Sequence, residues 1–337
     1  MKRLVMHAVV AFAALSLMLS VYAQAATTPP PNPEAAKKID FPEKGRTVTL
    51  LIPFSAGGSA DVFGRVQAAP LEKELGVRVL VVNNPSAGGQ AGTAAAARAK
   101  PDGYTVVLVA TGQFASYYLD KTRKATYTRK DFLPVAGFST APGLIAVRAD
   151  SPYKNMKDFV EAAKANPEKV KIAVAGLKGA MHLTMLEMQN LLGTKFAIVI
   201  FDGGAPGTAA LLGGHVDAQA DLVSGMLPQI KSGAVRVLGI MAKEESHFLP
   251  GVPTFQAQGI NLVYGNNRSW AVPAGTPKEI VEVLNRAFQK ILTSPDVRAK
   301  ATQLGDELRY YPPEEIASLW AELEPRVARQ LALFESQ

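Results

Sequence analysis

The nine residues "PFSAGGSAD", Pro53 to Asp61, place a glycine pair where an apolar run, "VTLLIPF", gives way to a helical pattern. That combination suits capture of an anion. A helix start presents backbone N–H groups without intrahelical partners and about half a positive charge. Glycines ahead of it remove the side chains that would keep a ligand oxygen from those amides. Phe54, Ser55, Ala56, Gly57 and Gly58 would form the cradle, with Ser59 as the helix cap. Asp61, in the first turn, would complement the helix dipole or orient a water or a ligand amine. The stretch lacks the GK[ST] of a P-loop and the G-x-G-x-x-G of a dinucleotide fingerprint. It therefore reads as a carboxylate or phosphate cradle or, more plainly, as a structural strand-to-helix turn.

A second stretch, "AGLKGAMH" from Ala175 to His182, repeats the arrangement of strand, two glycines and helix. Gly176, Gly179 and Ala180 offer bare backbone, Lys178 adds a cation between the glycines, and His182 falls at the helix start. Arg268 has the two-pronged donor that clamps a carboxylate, the plainer alternative being an exposed arginine beside a strand. Gln113 follows the strand "YTVVLVA" and can donate an amide hydrogen bond, while Asp202 in a turn would meet an amine or only solvent. A hydrolase would recruit Ser59 as nucleophile, His182 as base and Asp221 as orienter. Against it, the G-x-S-x-G elbow is missing, and His182, His215 and His247 (with His7 near the start) show no metal spacing. Cysteine is absent, which excludes disulfides, thiolate metal sites and a Cys nucleophile. The expectation is a binding protein with no metal, no cofactor and no catalysis.

The elements that would carry these loops alternate. "TVTLLIPF", "VRVLVVN" and "YTVVLVA" are short β-rich runs separated by helical stretches, "ADVFGRVQAA" with Val62, Val66 and Ala69 on one face and "GGQAGTAAAARAK". Such alternation predicts βαβ units and a largely parallel sheet. Pro70 is expected to kink or end the first helix. The theme restarts with "VKIAVAG", a helix carrying Met181, Met185, Met188 and Leu192 as core, then "FAIVIF", a helix near residues 205–212, "VDAQAD" and "VRVLGIM". Thr276 to Glu279 reads as a capping box before a face of Ile280, Val283, Leu284, Ala287 and Ile291, and the chain ends in one amphipathic helix or a pair. The fold class is α/β, with two lobes of open, mostly parallel sheets and ligands expected beyond the strand C-termini. Lobe one takes residues 46–145 and 268–337, lobe two residues 146–267, and the segments crossing between them serve as hinges.

The 337-residue chain opens with Lys2 and Arg3, an apolar stretch from Ala8 to Tyr22 and the small-x-small pattern "AQA". This is a secretory signal cut after Ala25, too short to span a membrane. Cleavage lowers the net charge from +7 to +5, a diffuse excess that fits an anionic ligand and gives no basic block for nucleic acid. Residues 26–45, Pro-rich and without periodicity, are expected as a flexible lead-in. The product is expected to be a free, soluble, exported protein, and a monomer.

"PFSAGGSADVFGR", "NNPSAGGQAG", "KPDGYT", "GGAPGTAALLGGHVDAQAD", "VPTFQAQG" and "VPAGTPKEIVEVLN" together resemble the Bug family, periplasmic receptors of tripartite tricarboxylate transporters. The resemblance runs from about Phe41 to the C-terminus. It implies a type II Venus-flytrap fold that holds a mono-, di- or aromatic carboxylate between two strand–helix loops, often through waters, and delivers it to integral membrane transporter subunits. A sensor for a membrane signalling protein would use the same scaffold. The family's first loop matches Phe54 to Asp61, the second Ala175 to His182 with His182 in register, and Asp221 matches an aspartate after the segment from Gly213 to Asp217. This chain departs where relatives usually carry small hydroxyl residues and it has Lys178, Gly179 and Ala180. It departs again at "FDG", Phe201 to Gly203, in place of "YKG", and at Arg268 in "NNRSWAV". No named substrate is carried over.

Overall fold

The computed structural model describes residues 40–57, 59–306 and 308–335. The expected export signal, the expected lead-in as far as residue 39 and Gly58 of the first glycine loop lie outside the described residues. Residues 41–45, expected within the lead-in, pack against lobe one. Phe41 meets Tyr104 edge-on at 5.0 Å, the Glu43 amide donates to the Tyr104 hydroxyl at 2.7 Å, and Arg46 pairs with Asp102 at 2.9 Å.

In lobe one, β1 (Thr47–Ile52) lies between β2 (Arg78–Asn83) and β3 (Thr105–Ala110), all parallel as expected. Helix α1 (Ser59–Leu75) and α2 (Gln90–Ala97) connect them, and α3 (Thr111–Leu119) follows β3 directly. The buried face of α1 is Ala60, Phe63, Gly64, Gln67 and Leu71, one step round from the face expected. Gly64 explains the choice. A Cβ there would stand 2.4 Å from Ile52 Cδ1, so the bare position lets the helix sit close on β1. Gln67, wholly buried, accepts from Trp270 Nε1 at 2.8 Å. α1 also runs through Pro70 without ending, because packing on both sides of the proline holds the two segments to one sheet.

The long strand β4 (Phe132–Arg148) then crosses between lobes. It pairs antiparallel with β9 (Gly265–Pro273) from Phe132 to Pro142, and from Gly143 onward with β7 (Ala218–Leu222) and β8 (Val235–Ile240). The strand order is β2-β1-β3-β9-β4-β7-β5-β6, with β8 and β10 (Leu308–Tyr311) also on β4. The outer strands are parallel, but the centre is antiparallel, because β4 and β9 carry the chain between lobes in opposite directions. The exchange of partners falls at Pro142/Gly143. There a Cβ on Gly143 would press on Met241 Sδ and Tyr264 Cδ1, each at 2.9 Å.

Lobe two repeats the parallel plan with β5 (Lys171–Ala175) between β7 and β6 (Ala197–Phe201). Its helices are α4 (Met156–Ala165), α5 (Ala180–Leu192), α6 (Gly204–Leu212) and α7 (Val223–Lys231). Met181, Met185 and Met188 are buried with Phe159, Ile172 and Phe196, as the helical spacing implied. In α8 (Lys278–Leu292) the expected capping box does not form, because the Thr276 hydroxyl donates to the Pro273 carbonyl at 2.7 Å instead. After α9 (Pro295–Gln303) the chain ends in one long helix, α10 (Pro313–Glu335). Val327 and Leu331 of α10 form a buried cluster with Ala115 of α3 and Leu183 and Leu186 of α5. The last helix therefore grips both lobes. Among the described residues, no helix is long and apolar enough to cross a membrane.

Candidate functional site

The first glycine loop leaves β1 at Pro53 and is shaped from within by Asp61, which is 3% exposed. Asp61 accepts from the Gly57 amide at 2.8 Å, Arg65 Nε at 3.0 Å and Asn83 Nδ2 at 3.0 Å. Asn83 also donates to the Phe54 carbonyl at 3.0 Å. Burial alone would raise the Asp61 carboxyl, but these donors outweigh it and hold it below the usual carboxylate range. Asp61 is thus a tie for the loop and not a group awaiting a ligand amine. Ser55, Ala56 and Gly57 remain exposed and Phe54 half-buried.

Arg268 corrects the reading of it as an exposed arginine. It is buried and already engages a carboxylate of the protein. At 2% exposure, its Nη1 lies 2.6 Å from Asp306 Oδ2, and its Nη2 donates to Ser59 Oγ at 3.0 Å. Asp306 accepts in turn from the Ser139 hydroxyl at 2.7 Å. Ser59 receives a charged donor on its oxygen and keeps its own hydrogen to give.

The second loop also spends its donors internally. The amides of Gly176, Lys178 and Gly179 donate to the Phe201 carbonyl (2.9 Å), His182 Nδ1 (2.9 Å) and the Gly176 carbonyl (3.1 Å). These three are therefore not the backbone donors expected for an anion. His182, 4% exposed and edge-on to Phe334 at 5.7 Å, serves as an acceptor for its own loop. Burial lowers its pKa, which keeps the ring neutral and Nδ1 free to accept.

Lys178, at φ +55°, turns away from the glycines and reaches lobe one. Its Nζ lies 3.0 Å from Asp120 Oδ2 and 3.3 Å from Thr122 Oγ1, while Arg123 donates to the Leu177 carbonyl at 2.9 Å. Burial raises the Asp120 carboxyl, yet Thr122 and Lys178 together hold it below its ordinary value.

The remaining expected residues scatter. Gln113 donates to the Gly88 carbonyl at 3.0 Å and to the Tyr117 hydroxyl, bracing a neighbouring turn. Asp202 is exposed. Asp221, at the end of β7, accepts from Gln219 Nε2 at 2.9 Å and from the Leu222 amide at 2.7 Å. It keeps partial exposure, yet the protein crowded around it pushes its carboxyl up to about 6. Gly204 opens α6 against it, where a Cβ would fall 2.6 Å from Asp221 Oδ2. Of the hydrogen bonds made by Ser59, His182 and Asp221, none joins any two of them.

A cavity of about 600 Å³ opens where the lobes meet. Gly112 of α3, Ala180 and Thr184 of α5 and Val223 of α7 line it, so helices from both lobes begin at its wall. Gly112 and Ala180 approach closely, since a Cβ on Gly112 would lie 3.0 Å from that of Ala180. Tyr264, Gly265 and Asn267 line the hinge side, Met241 to Phe248 one lip, and Arg309 and Arg326 the C-terminal side. Among the described residues, Ala180 alone of the expected site residues is on this wall. Arg326 is held by Glu187 at 2.8 Å and donates to the Val263 carbonyl at 2.8 Å. The lining from Arg309 and α10 arrives from the far end of the chain, beyond reach of any local pattern. Of the stretch from Tyr264 to Asn267, only Asn266 and Asn267 fall within "NNRSWAV", which departs from relatives, and no signal in the sequence marked Tyr264 or Gly265. The described residues hold no cluster of side chains suited to a metal ion.

Residues 63–331 match the family described as "Tripartite tricarboxylate transporter family receptor". The chain belongs to this receptor family. Among its relatives is the UPF0065 protein in the gbd 5′ region of Cupriavidus necator, 33% identical over 309 residues that cover 90% of this chain and 93% of the relative. Two solved structures are similar. MatC from Rhodopseudomonas palustris, with bound malate, is 30% identical with a TM-score of 0.75, covering 85% of this chain and 99% of that one. A second R. palustris protein, solved with adipate, is 26% identical with a TM-score of 0.78, covering 86% and 98%. As a tripartite tricarboxylate transporter receptor, the chain has the two-lobed binding-protein fold, and the cavity lies where its lobes meet.

Proposed function

We infer that this protein is a periplasmic solute receptor, exported by a signal cut after Ala25, that closes lobes 46–145 with 268–337 and 146–267 on a small organic carboxylate. It works as a monomer and hands the ligand to integral membrane subunits of a tripartite tricarboxylate-type transporter. The observation that carries the reading is the cavity lined by helix starts from both lobes in a chain of this receptor family. Malate and adipate, held by two similar proteins, are both small carboxylates. Ala180 on the cavity wall, together with Ser55, Ala56 and Ser59 of the first loop, which lie off that wall, would receive the carboxylate. Ser59 gives the hydroxyl hydrogen that Arg268 leaves free. The chain is a binder and not an enzyme, a reading supported by the separate engagements of Ser59, His182 and Asp221.

A thermal-shift screen of mono-, di- and aromatic carboxylates tests this. A true ligand at one hundred times its dissociation constant adds about 2.7 kcal/mol to stability. A protein whose melting temperature answers to no organic acid is not this receptor.

A further inference from the structure

We propose that the ligand is a monocarboxylate with an extended apolar body, a linear or aryl-alkyl acid, and not a compact dicarboxylate; this rests on the receptor reading above. The first reason is size. About 600 Å³ falls within the roughly 300–1,000 Å³ of sites that enclose drug-sized molecules, far more than a four-carbon diacid fills. The second is the wall. Val223, Met241, Phe248, Val263, Leu319 and Leu323 come from both lobes and from α10, so an apolar body would touch hydrocarbon on several sides. The third is charge. Arg326 is neutralised by Glu187 and Asp306 by Arg268. Lys243 and Arg309 on the wall are balanced in number by Glu244 and Glu245. A second carboxylate on the ligand would enter a space with no net positive charge to receive it, and desolvating it there is costly. Of the cations beside the loops, Lys178 is drawn away to Asp120 and Arg65 is held by Asp61.

Titration calorimetry with butanoate, hexanoate, octanoate and 3-phenylpropanoate, beside succinate and malate, decides it. The dissociation constant is expected to fall about fourfold for each added methylene until the cavity fills. Leu319→Glu should abolish that gain and weaken octanoate at least tenfold. Leu323→Gln serves the same purpose if the first variant does not fold. If succinate or malate binds and the longer acids bind no better, the apolar-body assignment is wrong and the receptor reading stands. If no acid of either set binds, the receptor reading itself fails.

Discussion

At the scale of single residues, charged side chains chose protein partners over a ligand. Arg268 is the clearest case. Burying a guanidinium beside a carboxylate is tolerable only while both remain, since removing one partner strands the other in low dielectric. Arg268→Met should therefore cost about 3–5 kcal/mol in a urea melt by depriving buried Asp306 of its guanidinium. Replacing both residues by apolar ones should recover much of the loss, and a neutral single variant would disprove the pairing. Asp221 gives a pH signature. Its carboxyl is raised in the folded protein, so the folded state binds more protons than the unfolded chain between the ordinary value of 3.8 and about 6. The stabilisation is present below that window and lost as pH rises through it, by at most about 3 kcal/mol. Asp221→Asn should flatten the dependence of melting temperature on pH between 4 and 7. A slope that persists in the variant would assign the effect elsewhere.

At the scale of elements, helix starts and loops do two jobs. Asp61 and Asn83 fix the first loop, and His182 fixes the second, leaving each rigid without a ligand's help. The Lys178 side chain then joins the second loop to the end of α3 across the lobes. Its contribution belongs to the closed arrangement, because opening returns Asp120 to water. A hydrogen bond to a charged group contributes about 1.5–3 kcal/mol. Lys178→Met should shift the lobes toward opening, seen as a larger radius of gyration in small-angle scattering and as faster amide exchange at residues 120–123 and 176–178. Unchanged scattering and exchange would show that the pair does not hold the lobes. Whether an element formed was legible from the chain: "TVTLLI", "TVVLVA" and the Met-bearing helix all formed where their periodicity put them. Which face of α1 met the sheet was not, because Gly64 gains its meaning only from the closeness of Ile52.

At the scale of the whole molecule, two sheets share β4, and α10 ties them a second time. Apolar periodicity and turn residues act within a few positions, so the alternating elements, the two α/β halves and the glycine turns at strand ends followed from local pattern alone. Family likeness carried the receptor scaffold. Long-range pairing lay beyond those local rules. Arg268 meets Asp306 across 38 positions, and Arg326 meets Glu187 across 139. Lys178 finds Asp120 only because the tertiary fold brings the end of α3 to the second loop. A cation's choice between ligand and protein depends on which carboxylate lies within about 3–4 Å in a low-dielectric setting, and only the tertiary structure decides that distance. The same holds for the cavity, whose wall is gathered from β-strand ends, a hinge and the last helix, and exists only once they are assembled.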